Sequence, residues 1–242
     1  MPPRLPARRL LVLTTAMAFA VAACSSSNGT ATSNASPNAN AGTDVHGAAG
    51  TAGAVKSGGT FTFALAEDPD KLDPTFARTL VGREVFANFC EKLYDVDQKL
   101  TLVPQLAAAL PVVSADKKSV TIKLRENVTF NDGTPFDAQA VKTTLDRYRT
   151  VTGSARAADL SSVSGVTVVD PHTVRLSLTK PFSPLAGALA DRAGMILSPT
   201  QLQKMGDNFA SQAVCVASFS YVIRKPGNEI VLEKSTHYYD KD

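Results

Sequence analysis

The sequence contains few of the histidines and cysteines on which many catalytic and metal sites depend. Its 242 residues include no tryptophan, three cysteines and three histidines. Neither Cys90 nor Cys215 adjoins a histidine, and His46, His172 and His237 lie outside any Gly-x-Ser-x-Gly or triad context. No group of His and Cys has the spacing of a metal site. We therefore predict that the protein is not an enzyme and holds no metal or cofactor.

The body of the chain also has little charge of one sign. The sequence contains 25 Lys and Arg against 22 Asp and Glu, and three of the arginines, Arg4, Arg8 and Arg9, lie within the first ten residues. The remaining charges balance, so no positive surplus is left to bind a phosphate backbone. This excludes nucleic acid as an expected partner. With 44% hydrophobic residues and no long apolar run in its body, the chain has a globular composition.

An apolar stretch is present only at the N-terminus. Residues 10–23 (LLVLTTAMAFAVAA) follow the three arginines. They are too few to cross a bilayer of about 30 Å but match the apolar part of a secretion signal. The next residue is Cys24, and Val21-Ala22-Ala23-Cys24 resembles the bacterial lipobox, in which the cysteine carries lipid.

These features predict a lipoprotein signal peptide over residues 1–23 and lipidation of Cys24. Acyl chains contribute about 0.8 kcal/mol per buried methylene, so several of them would hold the exported protein on the outer face of the cell membrane. The alternative is an ordinary signal peptide that is cleaved nearby, with Cys24 unmodified.

Residues 24–59 are dominated by Ser, Asn, Thr, Ala and Gly. Such a segment has almost nothing to bury and is expected to be a flexible tether of roughly 30 to 35 Å mean span. The folded domain is then predicted over residues 60–242.

Cys90 and Cys215 are the cysteines that remain, and an exported protein meets an oxidising compartment. We expect a disulfide between them. Connectivity does not follow from sequence alone, so two buried free thiols remain the alternative.

Hydrophobic periodicity predicts the first elements of the domain. Alternating apolar residues predict strands over residues 60–66 and 119–125, and apolar residues at helical spacing predict a helix between Leu80 and Tyr94. Asp137 is placed to cap a second helix that carries Val141, Leu145 and Tyr148 on one face.

Turn residues predict two hairpins in the second half of the domain. Their strands are residues 166–169 with 174–178, and residues 219–223 with 230–232. Ser183-Pro184 and Ser198-Pro199 each have the pattern of a helix N-cap followed by proline, which predicts two short helices between the hairpins. This interleaving of helices and strands predicts a mixed α/β (α+β) fold with a mixed sheet.

Several of these segments together resemble a known family. They are the N-terminal GGTFTFAL of residues 58–65, Asp73-Pro74, and the run from residue 117 to 136 (KKSVTIKLRENVTFNDGTPF) with the helix after it. In this order, behind a lipobox, they resemble the extracellular solute-binding proteins, family 5, that serve peptide-type ABC importers.

The resemblance implies a periplasmic-binding-protein-like type II fold, in which two lobes close over a ligand and deliver it to a membrane permease. The chain is expected to hold the N-terminal lobe, with most of lobe two missing. The expected partners are a peptide or another small-molecule ligand, ABC permease subunits, and the membrane through the lipid anchor.

Specific residues acquire expected roles from the same resemblance. The segment after the first strand lines the cleft in relatives, which makes Arg78 and Thr79 the candidate ligand contacts. Relatives also support the pairing of Cys90 with Cys215. Ala217 stands where the family has a glycine, and an alanine held at positive φ there would cost on the order of 1 kcal/mol or more.

A second interpretation belongs to a different functional class. A surface lipoprotein with a partial binding-protein fold could act as an interaction or scaffold module without transport. Neighbouring permease and ATPase genes and an in-frame continuation of the reading frame would favour transport.

Overall fold

The computed structural model describes residues 58–240. Its α-helices are α1 (Leu80–Phe89), α2 (Ala138–Thr150), α3 (Leu185–Ala188) and α4 (Pro199–Met205). Its strands are β1 (Tyr94–Val96), β2 (Leu102–Pro104), β3 (Val112–Val113), β4 (Ser119–Lys123), β5 (Val163–Asp170), β6 (Thr173–Leu178), β7 (Phe219–Lys225) and β8 (Glu229–Lys234). Two 3-10 helices span Arg192–Gly194 and Gly206–Ser211. The predicted signal peptide, Cys24 and all but the last two residues of the tether lie outside the described residues.

The core forms where α2 packs against a four-stranded antiparallel sheet of order β3-β4-β6-β5. Leu176 of β6 lies opposite both Val120 of β4 and Val166 of β5, and all three side chains are buried. Tyr148 of α2 is fully buried, and its hydroxyl donates a hydrogen bond to the Met195 carbonyl at 2.8 Å. This bond satisfies the one polar atom that the tyrosine brings into the core.

Local sequence signals place several elements as predicted. Asp137 caps α2, because its Oδ1 accepts a hydrogen bond from the Ala140 N–H at 2.8 Å. Ser198 caps α4 by accepting from the Gln201 N–H, with Pro199 at the first helical position. Strand β4 confirms the strand predicted from residue 119, and β5–β6 and β7–β8 confirm the two predicted hairpins.

The predicted first strand is wrong. Residues 60–66 form no strand, and the side chains of Phe61 and Phe63 are 88% and 57% exposed. An extended segment needs a neighbouring strand to satisfy its backbone groups, and none of the described strands pairs with it. Alternation alone was therefore an insufficient signal.

Two helix predictions also need correction. Helix α1 ends at Phe89, since Cys90 is extended and the Leu93 N–H donates to the Gly194 carbonyl instead of continuing the helix. Ser183 does not cap α3, which is a single turn that begins after Pro184 and has no side-chain cap.

The sheets are antiparallel rather than mixed. Every strand pair among residues 58–240 is antiparallel. Tight turns join β5 to β6 and β7 to β8, and such short connections permit only antiparallel neighbours.

The structure contains the Cys90–Cys215 disulfide, with the two Cα atoms 4.9 Å apart. Both residues are 1% exposed, and the bond joins the end of α1 to the segment before β7. The strain expected at Ala217 is absent, because Ala217 is not among the described residues with positive φ. Alanine is therefore compatible with the backbone at this position.

Glu91 anchors the segment that follows β8. The Glu91 carboxylate accepts hydrogen bonds from the hydroxyls of Tyr238 and Tyr239, and the Arg125 guanidinium lies 5.4 Å from the centre of the Tyr239 ring. Burial raises the pKa of Glu91 above its ordinary value of 4.5, although these hydroxyls and Arg125 favour ionisation. The ionised form is thus less stable here than in the unfolded chain.

We expect Glu91→Gln to change how stability depends on pH. A carboxyl group whose pKa is raised by folding binds its proton more tightly in the folded state, so its contribution to stability falls as pH rises from about 4.5 through the folded pKa. The stability of the variant relative to the wild type should therefore rise across this window. Urea denaturation from pH 4 to pH 7 measures the difference, and a flat difference would contradict the assignment.

None of the helices over residues 58–240 is long and apolar enough to cross a membrane.

Candidate ligand-binding groove

A polar groove lies on one face of the domain. It consists of two adjoining hollows of about 330 and 430 Å³ that share Asp70, Lys71 and Ala210. Ser211, Tyr221, Ile223, Arg224 and Pro226 complete the first hollow, and Asp73, Phe76, Arg78, Gly153 and Asp207 complete the second. Four stretches of chain that are distant in sequence, around residues 70–78, 153, 207–211 and 221–226, therefore surround this groove.

The structure separates the roles of the two predicted contact residues. Arg78 lines the groove, and its Nη2 donates a hydrogen bond to the Gly153 carbonyl at 3.2 Å. Thr79 is instead the N-cap of α1, because its hydroxyl oxygen accepts from the Gly82 N–H at 3.1 Å. The Thr79 hydroxyl also donates to Asp70 at 3.0 Å, so its single donor is already used within the protein.

Asp70 fixes the backbone on which Arg78 is carried. Its Oδ2 accepts a hydrogen bond from the Arg78 N–H at 2.9 Å. Partial burial opposes ionisation of Asp70, but this bond and those from Thr79 and Lys71 outweigh it and hold the pKa below its usual value of 3.8. Asp70 is therefore a carboxylate at neutral pH.

A buried ion pair forms the base of the second hollow. Asp73 is 1% exposed, and its Oδ2 accepts from Arg147 Nη2 at 2.8 Å. Arg147 also donates from Nε to the Thr75 hydroxyl at 3.1 Å, and its guanidinium lies 5.5 Å from the centre of the Phe76 ring. These contacts join α2 to the segment before α1 and hold that segment in one conformation.

The tip of the β7–β8 hairpin is bonded to the edge of the groove. Arg224 forms an ion pair with Asp68 at 2.8 Å and donates to the Pro69 carbonyl, and the Gly227 N–H donates to Asp68 at 3.1 Å. The bond from Arg224 lowers the pKa of Asp68, so the contact persists at neutral pH. The hairpin and residues 68–71 thus form one continuous wall.

Charged groups in the groove remain available to a ligand. Lys71 and Asp207 make no ion pair within the described part of the chain, and both are exposed. Arg78 makes no ion pair there either, although it bonds a carbonyl. With Asp70, which is also exposed, two cations and two carboxylates therefore face solvent in a concave surface, a combination that suits small polar or zwitterionic solutes.

Other acidic pairs in the sequence have structural roles. Asp95 pairs with Lys92 at 2.6 Å, while Asp97 accepts hydrogen bonds from the N–H groups of Lys99 and Thr101 within its own loop. Over residues 58–240 there is no group of three or more His, Cys, Asp or Glu that could hold a metal ion.

Sequence reasoning did not find most of the groove. Lys71, Asp207 and Ala210 belong to segments that carry no recognisable motif, Tyr221 lies in a predicted strand, and only the fold brings them together. Solvent-facing charges in loops before short helices would have been a weak signal at best.

A comparison with known families matches residues 101–242 to the sequence model of the bacterial extracellular solute-binding proteins, family 5 (middle region). The match covers more than half of the chain. The chain belongs to this family. Members of this family are extracellular substrate-binding proteins.

Curated relatives agree with this assignment over part of their length. The glutathione-binding protein GsiB of Shigella flexneri is 35% identical over 144 residues, which are 59% of this chain and 28% of the relative. The GsiB protein of Escherichia coli (strain K12) is 34% identical over the same proportions. The matched region is thus less than a third of the length of these relatives.

Solved structures show the same fold. The binding protein AgaA in complex with agropinic acid, from "A.tumefacien R10", has a TM-score of 0.67 and 30% identity, covering 72% of this chain and 35% of AgaA. Listeria monocytogenes OppA bound to peptide has a TM-score of 0.65 and 22% identity, covering 71% of this chain and 38% of OppA. The predicted type II periplasmic-binding-protein fold, in its N-terminal portion, is confirmed.

Proposed function

We propose that the chain is part of a substrate-binding lipoprotein of a peptide-type ABC importer. It would capture peptides or similar small polar solutes outside the membrane and deliver them to a permease without changing them chemically. The observation that carries the proposal is the groove around Lys71, Arg78 and Asp207 on a domain of this family.

The geometry of the groove supports binding by a preformed surface. The segment from Asp70 to Thr79 is held by the Asp73–Arg147 ion pair, by hydrogen bonds to Asp70 and by the cap of α1. Little conformational entropy would then be lost when a solute contacts Arg78. Relatives named for glutathione and for peptide suggest a solute with both amino and carboxylate groups.

We expect a weak, saturable interaction between this chain and reduced glutathione, the probe suggested by the relatives. A solute on one open face leaves part of its polar surface in water, so high affinity is not expected. The titration can be followed by amide chemical shifts, and those of Lys71, Arg78 and Asp207 should change as glutathione is added. Arg78→Ala should weaken binding about three- to tenfold, the effect of removing one hydrogen bond of ordinary net strength at a solvent-exposed site.

Arg83→Ala is the matched control for this titration. Arg83 is also an exposed arginine near the start of α1, but it pairs with Asp191 and does not line the groove. Its replacement should leave the affinity for glutathione unchanged. Equal loss in both variants, or shift changes confined to another face, would contradict the groove as the binding site.

Membrane attachment is the second part of the proposal. Lipidation of Cys24 followed by the tether of residues 24–59 would place the domain near its permease on the outer face of the membrane.

Cys24→Ser is expected to release the protein from the membrane fraction into the medium or periplasm. Serine cannot form the thioether that carries lipid, and the apolar stretch before it is too short to span the bilayer. Fractionation with an antibody to the domain measures this. Ser25→Ala is the neighbouring control and should remain attached; continued attachment of Cys24→Ser would contradict the lipid anchor.

A further inference from the structure

Two buried arginines converge on the backbone that carries Arg78. The Ala77 carbonyl accepts hydrogen bonds from Arg156 Nη2 at 3.3 Å and from Arg192 Nη1 at 3.2 Å. Arg192 Nη1 also donates to the Thr79 carbonyl at 3.1 Å. The backbone carbonyls of Ala77 and Thr79, on either side of Arg78, therefore accept hydrogen bonds from side chains of other segments.

Burial of these two guanidinium groups is energetically costly unless they are bonded. Arg156 and Arg192 are only 7% and 8% exposed, and their mutual repulsion adds to the desolvation that lowers the pKa of Arg192. Each has one acidic neighbour, Asp159 at 2.9 Å from Arg156 and Asp191 at 3.9 Å from Arg192. Apolar residues of similar volume would stabilise the fold at a lower cost than two cations buried around one carbonyl.

The backbone segments that carry both arginines lie close to residues 77–79. Arg192 lies in the 3-10 helix Arg192–Gly194, and Gly194 packs so tightly that an added Cβ would lie 1.8 Å from the Leu189 carbonyl oxygen. Arg156 follows a turn in which the Ala155 N–H donates to the Thr75 carbonyl at 2.8 Å. The backbone segments that carry Arg192 and Arg156 are therefore both fixed by contacts with other parts of the domain.

We propose that Arg156 and Arg192 are positioning residues for ligand binding. Together they fix the Ala77–Thr79 backbone, while Asp70 fixes the Arg78 N–H from the opposite side. The Arg78 side chain is thereby directed into the groove before a ligand arrives. The consequence for binding rests on the proposed function, but the effect on the loop does not.

Amide hydrogen exchange of the ligand-free protein tests the positioning directly. Arg192→Met should raise the exchange rate of the Arg78 N–H about tenfold or more, because a charge-assisted contact to each flanking carbonyl is lost. Amides of the distant β5–β6 hairpin should be unaffected. Arg192→Lys, which keeps a donor and the charge, should restore part of the protection.

Arg83→Met is the matched control in the same charged cluster. It removes one positive charge next to Asp191 and Arg192 but no bond to the Ala77 or Thr79 carbonyls. Exchange of the Arg78 N–H should stay within about twofold of the wild type, since an exposed ion pair contributes little to stability. An equal increase in Arg83→Met would overturn the proposal, because general electrostatics would then explain it.

A second variant covers the case in which Arg192→Met does not fold. Arg156→Met leaves both bonds from Arg192 in place and should raise the exchange rate of the Arg78 N–H by a smaller factor. Unchanged exchange in every folded variant, or an increase shared by the β5–β6 amides, would overturn the positioning role.

Glutathione titration of the same variants then separates the two proposals. If the wild type binds and Arg192→Met binds at least threefold more weakly while Arg192→Lys is intermediate, positioning controls affinity. Unchanged affinity with raised exchange would overturn the link to ligand binding. If the wild type binds no glutathione, the proposed binding of this probe fails, and the exchange data still decide whether the arginines fix the loop.

Discussion

Replacing both Cys90 and Cys215 by alanine is expected to lower the free energy of unfolding by about 2 to 5 kcal/mol. The disulfide joins residues 125 positions apart, so its removal greatly enlarges the set of conformations open to the unfolded chain. Both sulfurs are also buried, and alanine leaves their contacts unfilled. Urea denaturation of lipid-free protein, with Cys24→Ser in both backgrounds, measures the difference.

The reducing agent supplies an internal control for this prediction. Dithiothreitol should destabilise the protein that retains Cys90 and Cys215 but have no effect on the double alanine variant. Peptide maps under reducing and non-reducing conditions should differ in the fragments that contain these two residues. Identical maps, or equal stability of the two proteins, would contradict a structural role for the disulfide.

Asp73→Ala is expected to lower the free energy of unfolding by about 3 to 5 kcal/mol. The substitution leaves the largely buried Arg147 guanidinium without its carboxylate partner and also removes the acceptor for the Thr75 N–H at 2.8 Å. Because an unpaired charge in a buried site costs more than the pair contributes, the loss should exceed that of ordinary surface variants. Thermal and urea denaturation at neutral pH measure it.

Asp146→Ala is the control, because Asp146 lies next to Arg147 on α2. Asp146 pairs with Lys142 at 2.5 Å and Arg149 at 2.9 Å, but its side chain is 31% exposed, so its removal should cost less than about 1 kcal/mol. The double variant Asp73→Ala/Arg147→Met should recover much of the stability, since no buried charge is then unpaired. Similar losses for Asp73→Ala and Asp146→Ala would contradict this account of the buried pair.

The residues of a groove and of a family signature are recognised in different ways. The run from residue 117 to 136 carried the resemblance to the family because its motifs follow one another within a short stretch of sequence. Arg78 was predicted as a ligand contact by that resemblance; it lines the groove, and its contact with a ligand stays a prediction. Thr79 came with it but caps α1, a role that its position before Leu80 could have indicated.

Residues 60–66, which were predicted as a strand but form none, illustrate why periodicity can mislead. Its alternation matches a strand as well as that of β4 does, yet only β4 has neighbours on both sides, β3 and β6. Strand formation depends on a partner that lies elsewhere in the chain, and no local pattern reports whether that partner is present. Helix caps such as Asp137 and Ser198 were predicted correctly because the donors they satisfy lie within three residues.

The sequence by itself determined the segments whose physics is local: helices α2 and α4 with their caps, the two hairpins, the balanced charge of the body and the motif order that marks the family. Only the tertiary structure decided which charges share a surface, because Lys71, Gly153 and Asp207 meet through contacts between distant segments. It also decided that Arg156 and Arg192 donate hydrogen bonds to the Ala77 carbonyl rather than extending into solvent. Burial and long-range hydrogen bonds set these roles, and neither can be read from the neighbours of a residue in sequence.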